Sequence, residues 1–225
     1  MTSDGAGATP ATSKLLQRVN IGAKVALFAL LAHAALLPDL EQYQGKGTGW
    51  RILLYPLSAL LVPLVWWALG DRRRRWRYPH IIDLCVIAPF LIDTAGNTAN
   101  LYDTVVWWDD VMHFVTWVPW VVGFGLALRY VDGLARWTVF GLTAGFGAVT
   151  HIVWELMEYV AFIRTNPDEL EGAYRDTMGD LTLSLAGSIT GAALCATVLW
   201  TLGRPVAAES AAVVEPPFDP MAQTR

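Results

Sequence analysis

The sequence predicts an all-α integral membrane protein, a polytopic helical bundle with about six transmembrane helices. Its 225 residues are 54% hydrophobic and only 16% charged, whereas about a quarter of the residues of a soluble domain are charged. Six apolar runs approach the roughly 20 residues that a helix needs to cross a bilayer. The Lys and Arg residues also concentrate in alternate connections between these runs, which is typical of a chain that crosses a membrane repeatedly.

The apolar runs are predicted to be helices because an isolated strand would leave its backbone groups unpaired in lipid. The third run is the weakest, since it is short, contains Pro89 and carries both Asp83 and Asp93. In chain order the predicted spans are Ile21–Leu40, Ile52–Leu69, Ile81–Ala95, Val111–Tyr130, Trp137–Ile163 and Leu181–Leu202.

The first span has a second interpretation. Lys14 and Arg18 precede the run, and Ala32-His33-Ala34 inside it imitates the small-residue cleavage site of a signal peptide. We favour a retained span because the apolar run continues past that site.

The last two spans carry small and hydroxyl-bearing residues that predict close helix packing. Gly141-x-x-x-Gly145 and Gly187-x-x-x-Gly191 are typical of surfaces where membrane helices cross tightly. Hydroxyl groups on the sixth span are predicted to hydrogen-bond to neighbouring helices; they belong to Ser184, Ser188 and Thr190.

Outside the spans the sequence predicts two disordered tails. Residues 1–18 are rich in Ser, Thr, Gly, Ala and Pro, and residues 205–225 contain Pro216, Pro217 and Pro220. Such segments bury too little apolar surface to fold alone. Residues 19–204 between them are predicted to form one transmembrane domain.

The basic residues predict an orientation in the plasma membrane. If the N-terminus is cytoplasmic, twelve of the 16 Lys and Arg residues lie on the cytoplasmic side, including Arg72 to Arg75. Cytoplasmic connections carry such an excess, so both termini are predicted to be cytoplasmic. The net charge of −4 argues against a nucleic-acid partner, which requires a basic face, and leaves the bilayer and a small molecule as expected partners.

This topology brings the ionisable residues of four segments to the outer face of the membrane. At about 1.5 Å per residue along the fifth span, His151 and Glu155 fall within the outer leaflet. Ionisable groups at that depth are costly and normally face the bundle interior or a wet cavity. The residues concerned are Asp93, then Asp109, Asp110 and His113, then His151, Glu155 and Glu158, and finally Asp176 and Asp180.

Helical spacing places these residues on shared faces. Asp109 lies four residues before His113, His151 lies four before Glu155, and residues four apart lie on one side of a helix. Imidazole and carboxylate ligands suit a divalent ion such as Zn²⁺, Mn²⁺ or Fe²⁺. The predicted metal ligands are His113, His151, Glu155 and Asp180.

Catalysis, transport and a structural role all remain open for this cluster. In an enzyme acting on a lipid or cell-envelope substrate, Glu158 would join the four predicted ligands as a catalytic group. Asp109, Asp110 and Asp176 would then orient the ligands or add to them. A small proton-coupled transporter would use the same residues as a relay, and a structural protein would use them to hold helices together or to bind a partner.

At these residues the sequence resembles the YjdF-like family of bacterial inner-membrane proteins, whose biochemical function is unassigned. It is similar more distantly to the VanZ-like membrane proteins linked to glycopeptide resistance. The resemblance extends over roughly Leu53 to Leu202 and implies a membrane fold and a site, but no reaction. It rests on Asp93 with Asn97 and Tyr102, Asp109-Asp110-x-x-His113-Phe114, Trp154-Glu155-x-x-Glu158, and Asp176-Thr177-x-x-Asp180 with Gly187.

Overall fold

The structure is a computed structural model, and it describes residues 10–70, 77–161 and 163–201. The predicted disordered tails therefore fall largely outside the described residues, which leave out 1–9 and all of 205–225. Most of the arginine-rich run lies in the gap at 71–76. Residues 10–18 of the predicted N-terminal tail form the start of the first helix.

Most of the described residues are helical and none lies in a strand, which confirms the all-α class. Short 3₁₀ turns at Glu41–Tyr43 and Ile163–Thr165 lie in two of the connections, and a π-helical turn, Cys195–Leu199, follows the last helix. The helices are α1 Pro10–Leu36, α2 Thr48–Ala68, α3 His80–Thr98, α4 Leu101–Thr104, α5 Trp108–Leu128, α6 Arg136–Ala161 and α7 Pro167–Leu194.

Among the described residues, six helices are long and apolar enough to cross a membrane, in agreement with the predicted number of spans. The third span is a continuous helix despite Pro89, and its acids Asp83 and Asp93 are both buried inside the protein. Helix α7 begins earlier than its predicted span, so Asp176 and Asp180 lie on the helix itself and not in a loop before it.

The helices surround two central members, α3 and α5. Helix α3 packs against α1, α2 and α5, while α5 also packs against α6 and α7. Consecutive spans alternate in direction, and this brings together the end of the bundle where α1, α3 and α6 finish and α2, α5 and α7 begin. We call it the acidic end because Asp93, Asp109, Glu155 and Asp180 lie there.

Helix α1 is packed into the bundle, and its retention as a span stays a prediction. Its residues Leu27 and Leu31 form a buried core cluster with Tyr55 and Ala59 of α2 and Ile87 of α3. Between α1, α2 and α3, apolar side chains thus fill the space from the acidic end toward the opposite end of the bundle.

The close crossing of α5 and α7 depends on glycine. A Cβ atom on Gly187 would stand 3.2 Å from the Cβ of Trp117 and closer still to the carbonyl oxygen of Phe114. A Cβ on Gly191 would lie 3.0 Å from the carbonyl oxygen of Val118. The predicted packing role of the Gly187–Gly191 motif is confirmed.

The corresponding prediction for α6 is wrong. A Cβ atom on Gly141 or Gly145 would meet nothing within 4 Å among the described residues. The glycine that α6 uses for close approach is Gly147, which faces Ser188 of α7 and Val121 of α5. The spacing of the motif is typical of a tight crossing, but Gly147 is the glycine on the inward face of α6.

The hydroxyl groups of the sixth span behave differently from one another. Ser184 lies 3.0 Å from a ring nitrogen of His113 on α5, as predicted. Thr190 is exposed and donates to the carbonyl oxygen of Ala186 in its own helix, so its predicted role between helices is wrong. Ser188 is fully buried at the α6–α7 contact beside Gly147, but its Oγ has no hydrogen-bond partner among the described residues, so its predicted bond is wrong.

A buried ion pair joins α1 to α3 near the opposite end. The Oδ2 atom of Asp83 lies 2.7 Å from the ammonium group of Lys24 and accepts hydrogen bonds from Asn20 and Tyr78 at 2.7 and 2.6 Å. Burial and the bond to Asp83 raise the pKa of the Tyr78 hydroxyl well above its ordinary value, so Tyr78 remains a donor. Three donors thus surround Oδ2 of a carboxylate inside a span, while its buried Oδ1 has no hydrogen-bond partner among the described residues.

Replacing Asp83 by alanine is expected to lower the free energy of unfolding by about 2 kcal/mol, because three donors lose their acceptor. The side chain of Lys24 is 20% exposed, so water offsets part of the loss. Denaturant unfolding in detergent measures it. The double variant Lys24→Met/Asp83→Ala removes the unpaired charge and should recover stability; a double variant no more stable than Asp83→Ala would contradict the ion pair.

Candidate functional site

The side chain at the centre of the acidic end is His113, which is 7% exposed on α5. Its Nε2 atom lies 3.6 Å from Asp109 Oδ1 on the same helix and 3.5 Å from Asp180 Oδ1 on α7. Its Nδ1 atom lies 3.8 Å from Glu155 Oε1 on α6. Three helices therefore present carboxylates to the two nitrogens of one buried imidazole, and we call these four residues with Glu158 the His113 cluster.

The local sequence explains why α5 carries its part of the cluster. Asp109 and Asp110 occupy the first turn of α5, where negative charge interacts favourably with the backbone N–H groups of a helix start. His113 follows one turn later, so it lies on the same side of the helix as Asp109. Asp109 remains half-exposed at the rim while His113 is buried beneath it.

The donor atoms form two groups that share His113, and each group could hold one cation. One ligand atom each from Asp109, His113 and Asp180 lie within 4.8 Å of one another, and so do atoms from His113, Glu155 and Glu158. Two atoms that bind the same Zn²⁺ at about 2.0–2.2 Å are at most about 4.4 Å apart. The separations of 3.5–3.8 Å around His113 fall inside that limit.

The cluster contains an unsatisfied buried atom. Glu155 is 7% exposed, and its Oε1 atom accepts no hydrogen bond from the residues that the structure describes. A buried carboxylate oxygen without a donor is costly. The atom points toward His113 Nδ1 at 3.8 Å, which is longer than the usual 2.7–3.2 Å of an N–H···O hydrogen bond.

A second network at the acidic end is centred on Asp93. Its Oδ2 atom accepts hydrogen bonds from Tyr55 at 2.6 Å and from the Nε of Arg51 at 3.0 Å. Its Oδ1 atom accepts from Tyr102 at 2.8 Å and from Asn97 at 3.1 Å. With four donors on its two oxygens, this carboxylate joins α2, α3 and α4 and has little capacity left for a metal ion.

The donors to Asp93 include residues that sequence reasoning missed. Arg51 and Tyr55 lie on α2, which supplied none of the predicted site residues. The signal was the charge of Arg51 at the start of an apolar run, because a charged side chain in a span normally has a partner. Burial and the neighbouring Asp93 raise the pKa of the Tyr102 hydroxyl far above its ordinary range, so Tyr102 stays a donor to Asp93.

His151 lies apart from the His113 cluster. It is 4% exposed, its ring stands edge-on to Trp117 with centroids 5.8 Å apart, and its Nδ1 has no hydrogen-bond partner among the described residues. It is absent from both groups of donor atoms in the described chain that could share one ion. Its role as a ligand or catalytic group stays a prediction.

Two other predicted residues lie at the rim. Asp110 and Asp176 are exposed, and neither belongs to the groups of donor atoms found among the described residues. Asp110 Oδ1 lies beside Gly179 of α7, and Asp176 lies one turn before Asp180 on that helix. Their role as orienting groups or additional ligands stays a prediction.

No curated protein and no solved structure matches the chain. A family model described as a predicted membrane protein, DUF2238, matches residues 23–201. The matched range begins within the first span and contains the other five spans and both polar networks of the acidic end. It confirms the resemblance to the YjdF-like family drawn from the motifs around Asp93, His113, Glu155 and Asp180. The chain therefore belongs to the DUF2238 family of predicted membrane proteins.

Proposed function

We propose that the protein binds a divalent metal ion in the His113 cluster and uses it in a hydrolase-like reaction on a lipid or cell-envelope substrate. The observation that carries the proposal is the position of His113. Both of its ring nitrogens face carboxylates from three helices at 3.5–3.8 Å, while Glu155 Oε1 lacks a donor in the described chain.

Charge balance supports a cation at this position. Asp109, Glu155, Glu158 and Asp180 gather around His113, and Arg51, the nearby base, is already hydrogen-bonded to Asp93. Carboxylates inside a membrane protein are costly unless a counter-charge or protons offset them. A mixed set of imidazole and carboxylate ligands suits Zn²⁺, Mn²⁺ or Fe²⁺.

The residues around the cluster would hold its geometry. Ser184 Oγ lies 3.0 Å from His113 Nδ1 and orients the ring so that Nε2 faces Asp109 and Asp180. A bound divalent ion would supply Lewis-acid polarisation of a phosphoryl or carbonyl oxygen. Glu155 and Glu158 are then the carboxylates available to take up or deliver a proton.

The sided distribution of basic residues supports the proposed orientation, with the acidic end at the outer face of the plasma membrane and both termini in the cytoplasm. Within the described residues, the acidic end carries few bases, and Lys46 and Arg51 are both paired with carboxylates. A substrate of the cell envelope would then reach the His113 cluster directly.

The transporter and structural hypotheses have less support from the packing. A transporter requires a polar path across the bundle, but fully buried Val121 occupies the crossing of α5 with α6 and α7 beyond the His113 cluster. A purely structural network would satisfy its members, as the Asp93 network does. The unsatisfied oxygen of Glu155 distinguishes the His113 cluster from the Asp93 network.

Elemental analysis of detergent-purified full-length protein tests the metal site. We expect about one divalent ion per chain, and at least a tenfold loss of affinity when a ligand is removed, since even residues behind the ligands typically matter by about 10–100-fold. The matched pair is Asp109→Asn and Asp110→Asn, the same change at adjacent positions of α5. Only Asp109→Asn should lose metal.

His113→Ala should abolish binding, and a thermal unfolding curve shows whether that variant is folded. Asp109 is 44% exposed, so its asparagine variant is expected to fold even if His113→Ala does not. Metal-free wild-type protein after loading with Zn²⁺, Mn²⁺ or Fe²⁺ would overturn the proposal. Equal occupancy in both aspartate variants would also overturn it.

A further inference from the structure

A groove with apolar walls opens between α2 and α6 at the acidic end. Its volume of about 320 Å³ lies within the roughly 300–1,000 Å³ of small-molecule sites. Leu54 of α2 lines it together with Val153 and Met157 of α6. The lining residues of α6 run from Val153 to Ala161, which is about 12 Å along the helix at 1.5 Å per residue. The groove therefore provides an apolar surface for a single hydrocarbon chain.

The basic residues that line the groove are already paired with carboxylates. The ammonium group of Lys46 lies 2.6 Å from Asp103, and the Nε atom of Arg51 lies 3.0 Å from Asp93. Glu158 is the one carboxylate of the lining, and it forms no ion pair with the described residues. The polar end of the groove therefore carries one carboxylate more than its paired charges, and this favours a cation over an anion.

A second oxygen without a donor lies beside Glu158. The Oε1 atom of Glu155 is buried and accepts no hydrogen bond from the described residues. A carboxylate oxygen of Glu155 and one of Glu158 lie within 4.8 Å of each other. One ammonium nitrogen can donate to two oxygens at that separation, since each charge-assisted N–H···O bond is about 2.7–2.9 Å long. The two carboxylates thus provide acceptors for one cationic donor.

Aromatic rings line the groove near these carboxylates. Trp154 lies four residues before Glu158 on α6 and therefore on the same side of the helix. Its ring and that of Tyr55 on α2 have centroids 6.3 Å apart, and both residues line the groove with Trp50. The faces of Trp and Tyr rings attract cations. The lining thus adds a second feature that favours positive charge.

We infer that the groove binds an amphiphile that ends in a protonated primary amine. The ammonium group donates to Glu158 and to the Oε1 atom of Glu155, and the hydrocarbon chain lies along Leu54, Val153 and Met157. A primary ammonium carries three N–H donors, whereas a quaternary ammonium has none to offer Glu155. The inference deepens the function proposed above by naming a substrate class for the His113 cluster. It rests on that function for the reaction but not for binding.

The two sides of the His113 ring then take different partners. Its Nε2 atom faces Asp109 and Asp180 at 3.6 and 3.5 Å, and these three residues form one group of donor atoms that could hold the metal ion. Its Nδ1 atom faces Glu155 at 3.8 Å, on the side of Glu158 and the groove. The metal ion and the ammonium group therefore use separate carboxylates.

Native mass spectrometry of full-length protein released from dodecyl maltoside micelles tests this assignment. The probes are dodecylammonium, dodecyltrimethylammonium and dodecanol, which share one chain and differ in charge and in N–H donors. We expect dodecylammonium to be retained about tenfold or more over each of the other two, because its bonds to buried carboxylates add to the burial of the chain. Retention of dodecylammonium no greater than that of either other probe would overturn the inference.

Two pairs of variants provide matched controls. Glu158→Gln keeps the shape of the side chain without its charge, so it should lose the preference for dodecylammonium and still bind dodecanol. Glu171→Gln makes the same change at an exposed residue of α7 outside the groove and should behave like the wild type. Met157→Trp fills the groove and should reduce the binding of all three probes, whereas Ile152→Trp on the exposed surface of α6 should not. An unaffected Glu158→Gln or Met157→Trp variant would contradict the inference.

Metal content measured on the same preparations separates the two proposals. Asp109→Asn should lose the metal and keep dodecylammonium, and Met157→Trp should do the reverse, because each substitution leaves the other site intact. Wild-type protein with metal but without preference for dodecylammonium would overturn the amine site and leave the metal site standing. Preference for dodecylammonium in wild-type protein that stays metal-free after loading would support the amine site and overturn the metal site.

Discussion

Asp93→Ala is expected to lower the free energy of unfolding by about 3–5 kcal/mol, the usual cost of leaving one charge of a buried pair alone. Asp93 is 8% exposed and accepts from four donors, two of them on α2. Without it, the guanidinium of Arg51 is left without its carboxylate, and the hydroxyl groups of Tyr55 and Tyr102 lose their acceptor. The contacts between α2 and α3 at the acidic end should loosen first.

Thermal or denaturant unfolding in detergent measures this effect. The matched control is Asp103→Ala, which removes a carboxylate of the same end that is 40% exposed and paired with Lys46 at 2.6 Å. An exposed ion pair contributes about 0–1 kcal/mol. If the two variants lost equal stability, the Asp93 network would not be the structural centre of the acidic end. Where Asp93→Ala folds, it should keep its metal, because Asp93 is saturated by its donors.

Gly187→Leu is expected to cost about 3 kcal/mol or more, at the upper end of the effect of overpacking. The new side chain would meet the carbonyl oxygen of Phe114 and the Cβ of Trp117. A backbone carbonyl cannot rotate aside as a side chain can, so α7 would have to move away from α5. That movement would also separate His113 from Asp180, which lies two turns before Gly187 on α7, and metal binding should fall with stability.

Gly141→Leu makes the same change in the same residue type on α6, where a Cβ atom meets nothing within 4 Å among the described residues. It gains helix propensity of about 0.5–1 kcal/mol, since glycine is unfavourable inside helices. Its unfolding free energy should equal or exceed that of the wild type. Equal destabilisation by both leucines would mean that α5 and α7 do not cross closely at Gly187.

Helical spacing in the sequence predicted much of the acidic end. Asp109 and His113 lie four residues apart and do form a contact on α5. The same spacing joins His151 to Glu155 on α6, yet only Glu155 approaches His113. Helix α6 runs antiparallel to α5. A residue one turn earlier on α6 therefore contacts α5 one turn later. Glu155 therefore faces His113, and His151 faces Trp117.

The sequence alone determined the class of this protein, because the length and polarity of its apolar runs leave only membrane-spanning helices as a stable solution in lipid. It also determined which end of the bundle is acidic, since chain direction alternates from span to span. Only the tertiary structure decided which side chains meet. The rotation and register of each helix depend on its packing against neighbouring helices. The spacing of residues within one helix carries no information about that packing. These determine that Arg51 and Tyr55 bind Asp93, that Gly147 and not Gly141 faces inward, and that α2 and α6 leave a groove beside Glu158.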